Sequence, residues 1–216
     1  MDNFYVSITT IRKYKVALDV LLETIPEKWK YILVYQNENE NSFKIFEDHI
    51  EVYITNNLSD YGNFVGVNML LELNIIPCDS WFLFIHDTCK FLGDECVELT
   101  NNLIKTHDTD ILWLCDNGQC NICLIRENAI KFGNNIYKDI VFLTKMETIA
   151  LEWNHGNPLS PKSFNVKQQY INTPTKFMGT RQVYSSNERH CILFESINME
   201  KYYFYVIKEE DHPFTP

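Results

Sequence analysis

The triplet His86-Asp87-Thr88 carries the residue types in this chain best suited to chemistry. It follows five apolar or aromatic residues in a row, Trp81 to Ile85, and apolar residues resume after it in SWFLFIHDTCKFLG, Ser80 to Gly93. A continuous apolar run of that kind reads as a strand buried on both faces of a parallel sheet. In open α/β sheets, ligands bind outside the carboxyl ends of the strands. The strand is therefore expected to deliver an imidazole, a carboxylate and a hydroxyl where a ligand sits. A carboxylate among oxygen donors suits Mg2+ or Mn2+, which bridge to substrate phosphates and keep several waters. A plainer arrangement uses the same residues, with Asp87 capping a turn and His86 hydrogen-bonded at the sheet edge.

The elements that must position this triplet can be read from periodicity. Phe4 to Thr10 (FYVSITT) is short and rich in β-branched and aromatic residues, which predicts a strand. Ile11 to Ile25 has helical spacing in Val16, Leu18, Leu21, Leu22 and Ile25, and Pro26 closes it. Tyr31 to Tyr35 (YILVY) predicts a second buried strand, QNENENS a loop, and His49 to Asn56 a third strand. NLSDYGN, 57–63, is turn chemistry, Phe64 to Leu73 a helix on the sheet, and Asp94 the N-cap of a helix running to about Lys105. This β-α-β-β-α-β-α order implies a mainly parallel sheet covered on both faces.

After residue 108 the pattern changes. Asp110 to Cys115 and Cys120 to Ile125, joined at Asn117-Gly118, predict an antiparallel hairpin. Thr144-x-x-Glu147 is a capping box opening a helix to about Trp153, and WNHGNPLSPKS is a loop. Phe177 to Lys208 alternates polar turns with short aromatic strands such as CILFE and YYFYVI. The fold class expected is α/β in a single domain over 1–216, with a nucleotide-binding half at 1–107 and an antiparallel, elaborated acceptor half at 108–216.

Composition narrows the function classes. The chain has 216 residues, 45% hydrophobic and 14% aromatic, with 7 Gly and 7 Pro, as expected of a globular protein with its own core. A net charge of -10 argues against nucleic-acid backbone or anionic lipid as a partner, since both require a basic face. No apolar run approaches the roughly 20 residues of a membrane span. The 7 cysteines are odd in number and sit mostly in apolar runs, as reduced thiols of a cytoplasmic protein would. Cys115-x4-Cys120-x2-Cys123 has metal-like spacing, but residues three apart on a strand point to opposite faces, which argues against zinc.

With Gly62 and Asn68 in NLSDYGNFVGVNMLLEL ahead of the apolar strand and its acidic end, the order of elements resembles nucleotide-sugar glycosyltransferases of the GT-A fold. In that family a Gly and an Asn of this helix precede a hydrophobic strand that ends in Asp-x-Asp. The first half of the chain is covered, and it is most similar to the small glycosyltransferase domain of large DNA viruses of the chlorella-virus kind. Here His86 and Thr88 overlie the two Asp positions, with Asp87 between them. The resemblance implies Mn2+ or Mg2+ held by Asp87, His86 and Thr88. Because both flanking aspartates are replaced, it also implies help from a later histidine, His155 or His212.

The resemblance further implies that Ser7, Thr9, Thr10, Thr55 and Asn56 line the base and ribose of a UDP-sugar, with Tyr61, Asn63, Asn68 and His86 nearby. Arg181, Arg189 and Lys162 are the candidates to balance the charge of the leaving diphosphate. Glu152 is the first candidate for the carboxylate beside the acceptor, ahead of Asp79 and Asp116, with Asp87 as the other catalytic acid. Trp153 and Trp113 are candidates to stack on a sugar. The expected activity is transfer of a hexosyl or deoxyhexosyl group from a UDP-sugar to a carbohydrate or glycan acceptor. The alternative is a non-catalytic carbohydrate- or protein-binding module on a degenerate nucleotide-sugar fold.

Overall fold

The computed structural model describes residues 3–12, 15–115, 121–154, 156–171, 173, 175–183 and 187–203. β1 (Phe4–Thr10) is buried at every position and forms the middle of the larger sheet. On one side of it lie β2 (Lys30–Tyr35), β4 (His49–Tyr53) and, at the edge, β3 (Ser42–Ile45); on the other lies β5 (Trp81–His86). Within the order β4-β2-β1-β5 all neighbours are parallel. Beyond β5 come β8 (Cys123–Arg126), β7 (Ile111–Trp113) and β9 (Gln168–Tyr170), with β8 antiparallel to β5 and β7, and β9 parallel to β7. The result is an eight-stranded mixed, mostly parallel sheet.

Strand alternation divides the core between the two faces of this sheet. Tyr5, Phe82 and Phe84 point to a face covered by α2 (Gly62–Glu72), α4 (Glu127–Tyr137) and α5 (Lys145–Trp153), whose Phe64, Ile130 and Leu151 join the same cluster. Val6, Ile8, Leu83 and Ile85 point to the other, covered by α1 (Lys15–Leu22) and α3 (Glu95–Thr106). That side also packs on a four-stranded antiparallel sheet, β10 (Lys176–Val183), β11 (Asn187–Phe194), β12 (Met199–Tyr203) and β6 (Cys89–Phe91). Among the described residues no helix is long and apolar enough to cross a membrane.

Close packing fixes where α2 begins, and hence what it presents to the ends of the strands. A Cβ on Gly133 of α4 would stand 2.1 Å from the Phe64 ring, so these two helices meet at a distance that only hydrogen permits. Just before α2, the Gln36 side chain accepts from Leu58 N–H and donates to Ser59 C=O, both at 2.7 Å. Ser59 takes a left-handed φ of +53°, uncommon for a residue other than glycine. This clamp orients Asp60 and Tyr61.

Several elements depart from expectation. α1 spans Lys15–Leu22 rather than Ile11 to Ile25; at its end the Thr24 hydroxyl donates to Leu21 C=O and turns the chain early. α2 starts at Gly62 and the third long strand stops at Tyr53, since Asn57 leaves the sheet to bridge Phe142. Strand β3, helix α4 and strand β9 have no counterpart among the expected elements. Asp94 is the N-cap position of α3, but its side chain makes no capping hydrogen bond. The capping box forms as expected, with Glu147 N–H donating to Thr144 Oγ1 at 3.1 Å. β7 and β8 are antiparallel, while the expected turn at Asn117-Gly118 lies outside the described residues.

Candidate functional site

The chain runs outward from β1 to β2 and β4, then returns through α2 to β5 on the opposite side of β1. The carboxyl ends of β1 and β5 therefore flank a topological switch point, the position at which open α/β sheets bind ligands. Register places Thr9 opposite His86 at this end. Thr9 and His86 are on the face of α2 and α5, and one residue further Thr10 and Asp87 turn to the other. All four are buried.

Each ionisable group here is held by a named partner. Thr10 Oγ1 donates to Asp87 Oδ2 at 3.0 Å. His86 Nδ1 lies 2.6 Å from Asp60 Oδ1. Asn121 Nδ2 stands 3.0 Å from Glu152 Oε1, 3.2 Å from the Tyr61 hydroxyl and 3.5 Å from Asp60 Oδ2. One amide nitrogen thus joins the carboxylates of Asp60 and Glu152, and through Asp60 the chain of contacts reaches His86. Burial, reinforced by Asp60 and Glu152, pushes the Tyr61 hydroxyl well above the usual phenol range, so it stays protonated while its oxygen accepts from Asn121 Nδ2. Tyr61 also stacks on Tyr137 at 4.9 Å between centroids.

Of the residues expected at the site, Thr9, Thr10, Tyr61, His86, Asp87, Thr88 and Glu152 fall around this end of the sheet, with Thr88 C=O accepting from Tyr202 N–H at 2.9 Å. Ser7 and Asn63 bond each other, hydroxyl to carbonyl oxygen, at 2.8 Å below it. Asn56 is turned to brace the loop after α4, donating to Ile140 C=O at 2.7 Å and Lys138 C=O at 3.2 Å. Thr55 is exposed, and its N–H donates to Asn41 Oδ1. Asn68 donates within α2 to Glu72 Oε1. Lys162 Nζ donates to Glu152 C=O at 2.8 Å and sits 5.2 Å from the Trp113 ring centroid. Trp113 itself is buried and donates from Nε1 to Gln168 Oε1.

Asp79 is not brought to this site. It stands before β5, at the opposite end of the sheet, where Asn3 donates to it. His155, His212 and Asp116 lie outside the described residues, as do the side chains of Trp153, Arg181 and Arg189. Asp60 and Asn121 were not among the expected residues. Asp60 sits in turn-like sequence and Asn121 in the expected strand Cys120 to Ile125, and the only signal they carried was proximity to Tyr61 and to the β7–β8 hairpin.

Whether a divalent cation suits this site depends on its donor set. Asp87 offers a carboxylate, His86 an imidazole whose Nδ1 is already engaged, and Asp60 a second carboxylate behind it. Because His86 and Asp87 turn to opposite faces, the Asp87 carboxylate is the oxygen donor that, completed by phosphate and water, would suit Mn2+ or Mg2+. Cys89, two residues on, is no soft ligand, because burial pushes its thiol up to about 12. Among the described residues, no three His, Cys, Asp or Glu side chains already form a closed metal cluster. No family model matches the chain, and no curated protein is similar enough to stand as a relative.

Proposed function

We propose that this protein is a metal-dependent glycosyltransferase of GT-A type, moving a sugar from a UDP-sugar to a carbohydrate acceptor. The observation that carries this reading is the burial of Asp87 and His86 at the switch point, each fixed by a partner from a different element, Thr10 of β1 and Asp60 before α2. Burying ionisable groups is costly, and it recurs where chemistry requires it. A mostly parallel sheet with helices on both faces and a topological switch point at the ends of β1 and β5 is an architecture on which nucleotides bind.

In this mechanism Thr10 orients the Asp87 carboxylate, which would hold Mn2+ or Mg2+, while Asp60 orients His86 on the other face of the strand. The cation would supply charge stabilisation for the leaving diphosphate. Glu152, anchored by Asn121, accepts the proton of the acceptor hydroxyl as that oxygen bonds to the anomeric carbon. The bond from that carbon to the diphosphate oxygen breaks, and its electron pair leaves with the diphosphate. Lys162, tied to the backbone of Glu152, keeps a positive charge beside the developing anion.

Calorimetric titration of UDP with and without Mn2+, on wild type and Asp87→Ala, tests the reading. The expected result is binding that requires Mn2+ and is abolished by the substitution. UDP binding indifferent to both would overturn it, and so would failure of every UDP-sugar in a panel to raise the melting temperature with Mn2+ present.

A further inference from the structure

We infer that the outer edge of β3 is a docking site for an extended, basic segment of a partner protein, which joins the larger sheet as one further strand. The inference stands apart from the site at the ends of β1 and β5.

The hydrogen-bond ladder decides which backbone groups are open. β3 runs antiparallel to β4, with Ser42 opposite Tyr53 and Lys44 opposite Glu51. Just past the end of the strand, Phe46 N–H donates to His49 C=O at 2.9 Å. Bonded and non-bonded positions alternate along an antiparallel pair. Ser42, Lys44 and Phe46 are therefore the residues that bond toward β4, and the N–H and C=O of Phe43 and Ile45 point away from the sheet. The far side of β4 agrees, since Ile54 N–H donates to Tyr35 C=O at 2.9 Å and so belongs to the alternate set that faces β2. Among the described residues no strand pairs with the outer side of β3.

This edge lacks the usual defences. Soluble proteins blunt an edge strand with proline, a bulge or a charge set against pairing. β3 reads SFKI, without proline; its register to β4 is unbroken, and none of its residues has a left-handed φ. Lys44 is drawn across the face of the sheet instead of along its edge, with Nζ 5.3 Å from the Tyr53 ring centroid. Ile45 is 58% exposed and Phe46 44%, so apolar surface flanks the open backbone groups. A strand laid there would bond Phe43 and Ile45 and cover both side chains.

Charge says what kind of strand. Glu40 is exposed before β3, and Glu47 and Asp48 are exposed after it. Glu38 is already held by Arg12 at 2.8 Å. Acids thus bracket the open edge at both ends. A second copy pairing antiparallel would set Glu40 of one chain against Glu47 or Asp48 of the other, and like charges facing across strands are destabilising. A segment with β-branched or apolar residues in its middle and Lys or Arg near each end meets both demands. Strand addition of this kind draws affinity from main-chain bonds and specificity from side chains.

The test uses the whole protein and a dye-labelled peptide, Arg-Val-Thr-Val-Thr-Val-Arg, blocked at both ends, beside the same peptide with Glu in place of Arg. The basic peptide is expected to bind at least about 10-fold more tightly than the acidic one, and to lose that advantage in a variant carrying Glu40→Lys and Glu47→Lys. Binding should slow hydrogen exchange at the Phe43 and Ile45 amides, which the free protein leaves open. Ile45→Pro removes an outward N–H but no ladder bond, so it is expected to keep the melting temperature and weaken the peptide at least about fivefold. The exchange measurement on wild type decides the matter even if a variant fails to fold. No binding of the basic peptide, equal binding of the two peptides, unslowed exchange at both amides, or an affinity that Ile45→Pro leaves unchanged would each overturn the inference. So would a dimer in sedimentation that Ile45→Pro abolishes, because the edge would then belong to a second copy of this chain.

Discussion

The two ends of the β1–β5 pair are built from the same strands and treat polar groups in opposite ways. At the amino end Phe4 faces Trp81, and the rings of Phe4, Trp29 and Phe91 pack at centroid distances of 5.0 and 5.2 Å. Apart from the buried Ser80, the polar groups there lie at the rim. Asn3 and Asp79 bond in an exposed pair, and the Arg126 guanidinium lies over the Trp81 ring at 4.3 Å. A cavity of about 270 Å3, lined by Cys78, Asp79, Ser80, Arg126, Glu127 and Asn128, opens at this end. At the carboxyl end, in contrast, Thr9, Thr10, His86 and Asp87 are all buried. This hollow lies at the opposite end of the sheet from those four residues. Concavity is the usual first guide to a site, but a water-filled hollow costs nothing to keep, whereas a buried carboxylate beside an imidazole does. The carboxyl end is therefore the better guide.

If that difference is real, equivalent truncations at the two ends should diverge. Asp60→Ala removes the acceptor of His86 Nδ1 and one acceptor of Asn121, leaving a buried imidazole short of its partner. A loss of about 3 kcal/mol is expected, in the range for breaking a buried pair. Asp79→Ala, at the exposed end, removes only the bond from Asn3 and is expected to change stability by less than about 0.5 kcal/mol. Urea unfolding midpoints measure both. Equal losses would erase the distinction between the ends. Thr10→Val, which keeps shape but withdraws the hydroxyl from Asp87 Oδ2, is expected to cost about 2 kcal/mol, as for a hydrogen bond to a charged group. The same variant should lower Mn2+-dependent UDP binding, because the carboxylate loses the group that aims it.

Part of this contrast was legible in the sequence. The apolar run Trp81 to Ile85 could only be buried, and its abrupt end at His86-Asp87 located the carboxyl edge of the sheet. Val6, Ile8, Leu33 and Leu83 behave as such runs predict, and Thr144-x-x-Glu147 closed as a capping box, since both signals depend on neighbours in sequence. Asp60 and Asn121 were not legible, because their partners lie across the fold and NLSDYGN reads as turn chemistry whatever Asp60 touches. Asn56 and Asn68 differ the other way: their amides suit a ligand edge, and in the fold they bond Ile140 C=O and Glu72. The helix from Glu127 was hidden for a similar reason. Its buried positions, Ala129, Ile130, Gly133 and Tyr137, include a glycine whose value lies only in letting Phe64 approach.

The thiols offer the smallest and cleanest comparison. Cys78 is exposed at the amino end, while Cys89, just past Asp87, is buried and its thiol is pushed up to about 12 by burial, against an ordinary value of 9.0. Iodoacetamide at neutral to mildly alkaline pH should accordingly modify Cys78 in the native protein and Cys89 only after urea, as read by peptide mass mapping. The same shift has a consequence for stability. A thiol whose folded value is raised stays protonated while the unfolded chain gives up its proton, so its contribution is fully present below the unfolded value and is lost as pH rises toward the folded one. Between pH 9 and about 12 that loss is about 1.4 kcal/mol per pH unit for one such thiol. Cys123, raised in the same direction by burial, adds to the slope. Cys89→Ala should flatten the alkaline fall in unfolding free energy by one thiol's share. A slope that Cys89→Ala does not alter would mean that the residues after Asp87 open to water in solution, and the contrast between the two ends of the sheet would lose its basis.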